Sequence, residues 1–89
     1  MRESLIEKWI EPNYINKYGT MIWYNKYGEF QSKGDNPAII YLDGTKFWYK
    51  NGKYHRDGDK PSSIYSNGNK VWHKNGQYIK SSPKWKINY

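Results

Sequence analysis

The 89-residue sequence contains no cysteine. Disulfides and zinc–thiolate sites are therefore excluded as stabilising devices, and a reducing cytoplasm is the expected compartment. Long apolar runs are missing too. The N-terminal stretch M-R-E-S-L-I-E-K-W-I-E alternates charge with apolar residues, which excludes a signal peptide or a membrane span there and predicts no membrane partner. Apolar residues make up only 36% of the chain, yet aromatics reach 19%, mostly as ten Tyr and five Trp. One small domain of this length must therefore bury large amphipathic rings in place of aliphatic side chains, a composition that favours strands.

Acidic residues are scarce in the second half. Residues 1–44 hold five basic and six acidic side chains, whereas residues 45–89 hold ten basic and two acidic, and no acid follows Lys60. A solvated, solubilising surface would account for such an imbalance; a polyanion-binding end accounts for its confinement to one half.

Internal spacing organises the chain. A Pro is followed after seven residues by Gly, after four more by Trp, and after four or five more by a second Gly. This frame occurs as Pro12, Gly19, Trp23, Gly28; as Pro37, Gly44, Trp48, Gly52; and as Pro61, Gly68, Trp72, Gly76. The single extra residue lies between Trp23 and Gly28. Three hairpin repeats over residues 12–36, 37–60 and 61–82 are predicted, with a period of about 24 residues. Residues 83–89 form a basic aromatic tail.

Asp43-Gly44, Asn51-Gly52, Asn67-Gly68 and Asn75-Gly76 tolerate positive φ at both central positions, so each is expected to close a two-residue hairpin turn. Tyr18-Gly19 and Tyr27-Gly28 are weaker turn signals. The fold class is thus mainly β, an antiparallel meander of about six or seven short strands. Alternation places Phe47 and Tyr49 on one face and Trp48 on the other, so both faces carry aromatics. Leu5, Ile6, Trp9 and Ile10 share one helical stripe, with Ser4 and Glu7 as a capping box. A short N-terminal helix over residues 3–11, within a segment 1–11, is predicted to pack on the first repeat or on a partner chain.

The pieces W-Y-K-N-G-K-Y-H-R and D-G-T-K-F-W resemble the MORN repeat. They are also similar to a related repeat of bacteriophages and large DNA viruses, in which Trp and an Asn-Gly turn lead into His-Arg, an Asp-containing loop and Pro-Ala. Trp48, Asn51, Gly52, His55, Arg56, Asp57 and Pro61 follow that order, and Pro37-Ala38 supplies the dipeptide one repeat earlier. Gln31-Ser32 and Ile79-Lys80 replace His-Arg in the flanking copies. The resemblance implies an elongated single-layer sheet used as a binding surface, and a viral source with action in the host cytoplasm.

Catalytic chemistry finds little support in the residues. His55 and His73 occupy different places in the frame, so a paired acid and base for RNA cleavage would need a favourable curl of the sheet. Asp57-Gly58-Asp59 lacks the further ligands of a calcium loop and is better explained as a turn. No metal-ligand cluster or nucleotide-cradling loop is present, so no cofactor is expected, and Ser62, Ser63, Ser81 and Ser82 have no evident base.

What remains is a basic surface interleaved with rings. Lys50 and Lys74 are equivalent in the frame, as are Lys46 and Lys70, and the tail adds Lys84, Trp85 and Lys86. Cations follow phosphates while exposed rings stack on unpaired bases. The candidate nucleic-acid-binding set is Lys46, Lys50, Lys53, Arg56, Lys70, Lys74, Lys80, Lys84, Trp85 and Lys86. The expected function is a non-enzymatic protein that binds single-stranded or structured RNA and, given the viral resemblance, counters a host RNA-targeting defence protein. The same positive face also suits docking on an acidic host protein without nucleic acid. An exposed edge strand makes a homodimer a further expectation.

Overall fold

The computed structural model describes residues 10–83. Nine strands occur among them: β1 Tyr14–Ile15, β2 Met21–Ile22, β3 Ile39–Ile40, β4 Lys46–Phe47, β5 Tyr49–Lys50, β6 Lys53–Tyr54, β7 Ser63–Ile64, β8 Lys70–Lys74 and β9 Gln77–Ser82. Seven pair in the order β1-β2-β3-β4-β7-β8-β9, every pair antiparallel, and β5 and β6 form a separate hairpin. The meander is present. The predicted helix falls largely on residues outside the described ones; Ile10 and Glu11 carry no regular structure. No helix among the described residues is long and apolar enough to cross a membrane.

Trp and small residues occupy the core. Trp23, Ala38, Ile39, Trp48 and Val71 are buried, with Ser62 and Ser63 beside them. Each Trp that opens a second hairpin is fixed in the same way: its indole N–H donates to a carbonyl 13 residues earlier. Trp23 reaches Ile10 O at 2.9 Å, Trp48 reaches Asp35 O at 3.0 Å and Trp72 reaches Asp59 O at 3.3 Å. A ring this large is tolerated inside so small a protein because its one polar atom has a partner.

The turns are of two kinds, which corrects part of the sequence expectation. Asn51-Gly52 and Asn75-Gly76 have positive φ at both residues, as a two-residue turn requires. Asp43-Gly44 and Asn67-Gly68 do not: only the Gly is positive, and each closes a three-residue loop. In the first, Gly44 N–H donates to Tyr41 O and Tyr41 N–H to Thr45 O, both at 2.9 Å; Tyr65, Gly68 and Asn69 repeat the pattern. The side chain decides it. Asp43 Oδ1 accepts from Thr45 N–H at 2.8 Å and Asn67 Oδ1 from Asn69 N–H at 2.9 Å, locking the Asx residue at negative φ. Asn16–Thr20 and Asn25–Glu29 form the same loop. A three-residue loop at Gly28 in place of the two-residue turn at Gly52 accommodates the extra residue between Trp23 and Gly28.

Candidate nucleic-acid interface

Beyond each Trp, the returning strand carries one residue too many. Trp72 pairs with Lys80 and His73 with Tyr78, leaving Ile79 as the bulged residue; His55 N–H to Trp48 O and Gln31 N–H to Trp23 O, both 3.1 Å, mark the equivalent bulges. A bulge re-aims its side chain. Gln31 Oε1 thereby accepts from Asn51 N–H at 2.8 Å, and His55 Nδ1 accepts from Asn75 N–H at 3.0 Å. Gly52 N–H and Gly76 N–H donate to Phe30 O and Tyr54 O at 3.0 and 2.8 Å. Each Asn-Gly turn is therefore held by the hairpin before it.

With Nδ1 accepting, His55 carries its proton on Nε2, which donates to Asp57 Oδ1 at 2.8 Å. That bond holds the Asp57 carboxyl below its ordinary value. Both ring nitrogens are engaged and the side chain is buried, so His55 has no free nitrogen for acid–base chemistry. His73 stacks on Tyr54 at 4.7 Å, its Nδ1 lies 2.9 Å from Ser62 Oγ, and burial pushes its pKa down. Ser62 is fully buried. The serine that His73 meets is thus shut off from solvent, and the cleft that His55 lines does not include His73.

The candidate cations divide into groups. Lys50, Lys53 and Lys74 are exposed at the tips of the second hairpins, with Lys50 directly opposite Lys53. Lys53 lays its stem against the next turn; a Cβ added to Gly76 would lie 3.5 Å from its Cδ. Lys46 and Lys70 sit at the first turns, where their amines donate to Gly44 O and Gly68 O at 3.1 and 3.3 Å. Arg56 faces inward. Its Nε and Nη2 donate to the two Asp35 oxygens at 2.9 and 3.1 Å, its Nη1 donates to Pro61 O, and its guanidinium lies 3.8 Å over Trp48. These bonds, with a third from Lys60, hold the Asp35 carboxyl far below the usual carboxylate range. Lys80 copies the arrangement loosely, 4.8 Å over Trp72 and 3.8 Å from Asp59. Lys84, Trp85 and Lys86 lie outside the described residues.

Aromatic rings run along the second hairpins in one continuous series. Phe30, Tyr49, Tyr54, His73 and Tyr78 follow one another with ring centroids 4.6 to 6.1 Å apart. Burial and the neighbouring Tyr54 raise the Tyr49 pKa. Tyr78 ends the series and is 60% exposed. Beside this ridge a cleft of about 560 Å³ is lined in part by Lys50, Tyr49, His55 and Lys60.

Sequence reasoning overlooked Asp35, Asp59, Lys60 and the acceptor role of Gln31. A signal existed, because Asp35 and Asp59 are 24 residues apart and so are Arg56 and Lys80. Among the described residues no cluster of three potential metal ligands occurs. No protein-family model, curated protein or solved structure matches the chain.

Proposed function

We propose that this is a non-enzymatic RNA-binding protein built from three stacked hairpin repeats of about 24 residues, with the tips of the second hairpins as its contact ridge. The observation that carries this reading is the row of Lys50, Lys53 and Lys74, all exposed; among the described residues no carboxylate is hydrogen-bonded to any of them, and Asp57 acts on Lys50 and Lys74 only through space. Neighbouring strands are about 4.8 Å apart, so Lys50 and Lys74, two strand spacings from each other, stand about 10 Å apart along the ridge. Tyr78, at the end of the ring series, offers a face for stacking on an unpaired base. Arg56 belongs to the framework in this proposal, since its charge is already matched by Asp35. The MORN-like resemblance supports a surface-binding role and a viral setting, and action against a host RNA-targeting defence protein belongs to the same proposal.

The test is a titration of the whole chain with a fluorescently labelled single-stranded RNA. Replacing Lys50, Lys53 and Lys74 together by Glu should weaken binding by about tenfold or more at low salt, because three phosphate contacts become repulsions. A triple variant that binds as tightly as the parent would refute the ridge. Trp23 and Trp48 are only 3% and 4% exposed, so their emission should be insensitive to RNA.

A further inference from the structure

β9 is the last strand of the described sheet and, at six residues, the longest among the described residues. No described strand lies beyond it. Lys74 and Gln77 flank a two-residue turn and form the hydrogen-bonded pair, so Tyr78, opposite His73, turns its own N–H and C=O away from β8. At the two preceding hairpins the equivalent carbonyls, Phe30 O and Tyr54 O, receive a Gly N–H from the next turn. Tyr78 O occupies that receiving position at the open edge.

The side chains there depart from the pattern. Where Gln31 and His55 present an acceptor, the bulge presents Ile79, which cannot take a hydrogen bond from an Asn-Gly turn. Tyr78 and Ile79 are 60% and 54% exposed and adjacent. Lys70, Lys74 and Lys80 lie on the β8–β9 hairpin, which has no acidic residue of its own; against these three cations stand Asp59, 3.8 Å from Lys80, and the charge of Asp57 acting on Lys74. This edge suits an extended strand with acidic and apolar side chains, not another turn.

A second copy of the chain is a poor occupant. Two β9 edges paired with each other would bring two hairpins of three lysines each side by side, with Lys80 of β9 itself at the contact, and like charges across a strand pair are destabilising. Head-to-tail docking through the same contact is also blocked: Gly28 N–H, which would have to reach Tyr78 O, already donates to Asn25 O at 2.9 Å inside its own loop.

We propose that β9 captures an extended acidic segment of a partner protein as an additional antiparallel strand, with an apolar side chain of that segment packed on Tyr78 and Ile79. Such strand addition takes affinity from main-chain hydrogen bonds and selectivity from alternate side chains. The lysines that keep the edge from self-pairing would select the partner's charge.

The probe is a blocked peptide of alternating Glu and Val, with a Lys and Val peptide as control, titrated into the full chain and followed by binding and by amide hydrogen exchange. The acidic peptide should bind and slow exchange at Tyr78, and Ile79→Glu should weaken it by about tenfold or more by placing a like charge in the interface. The melting temperature should be retained in that variant, because Ile79 is exposed. Absence of acidic-peptide binding, equal binding of the Lys peptide, or unchanged binding to Ile79→Glu would overturn the proposal. So would a Tyr78 amide already protected in the free protein, whether by a second copy at high concentration or by residues 84–89, as truncation of that segment would reveal. Loss of RNA binding on replacing Lys50 and Lys53 bears on the ridge alone, whereas Lys74 belongs to both surfaces.

Discussion

Gln31 and His55 are chemically unlike, yet each places an acceptor atom 2.8 to 3.0 Å from the N–H of the Asn that opens the next hairpin's turn. The site demands an acceptor on a bulge, a requirement that several side chains meet. That is why the frame looked broken here when judged by residue identity. Replacing His55 by Gln should therefore preserve stability to within about 1 kcal/mol, while Leu should cost about 1–3 kcal/mol by leaving the Asn75 N–H unpaired. Denaturant unfolding of the two variants checks this; equal losses would contradict the acceptor role. His73 makes a different prediction. Burial holds its folded pKa below the ordinary 6.5, so the unfolded chain takes up a proton that the folded one refuses. Its contribution to stability is complete above the unfolded value and declines as pH falls below it. The melting temperature should drop between about pH 7.5 and about pH 5.5, and His73→Phe should make the drop shallower. Asp35 and Asp57, whose folded pKa values are lowered, lose their contributions only in more acid solution, as pH falls through the ordinary carboxylate range and below it.

The hairpin is the element that the sequence announced most clearly, through Gly placed after Asn or Asp at fixed distances from Trp. Antiparallel pairing and the opposite facing of Phe47 and Trp48 followed from the same pattern, and Phe47 and Tyr49 indeed both meet Tyr54 while Trp48 meets Arg56. Turn type was less legible. Asn51-Gly52 and Asn67-Gly68 have the same two letters, but Asn67 accepts from the N–H two residues on, whereas Asn51 donates its own N–H to Gln31. The deciding partner is 20 residues away in one case and local in the other, and a dipeptide contains neither. Gly76 has φ +87° and room for a methyl group, its nearest neighbour being a flexible Lys53 carbon at 3.5 Å. Gly76→Ala should thus cost about 1–2 kcal/mol from backbone strain alone, read as a lower midpoint in denaturant. No loss would mean that the turn does not hold Gly76 at positive φ.

At the scale of the described fold the Cα atoms extend 49 × 30 × 29 Å with a radius of gyration of 14.2 Å, against about 12 Å for a compact chain of similar length. The lopsided charge was plain in the sequence, but its division among ridge, first turns and inward-facing Arg56 was not, because charge counts do not reveal which cations already have carboxylates. If Lys50, Lys53 and Lys74 each meet one phosphate, the logarithm of RNA affinity should fall against the logarithm of salt with a contribution of about −2 from these three residues. Loss of that increment in the triple Glu variant is measurable in the same titrations, and an unchanged slope would place the contacts elsewhere. The outer hairpins of the described residues also differ from the middle one. The first Gly loop keeps its N–H for itself and Ile79 offers no acceptor, whereas residues 37–60 carry a donating turn and a receiving bulge together. Tandem duplication of that stretch would add one hairpin pair in the middle and leave the loop at Gly28 and the bulge at Ile79 chemically as they are.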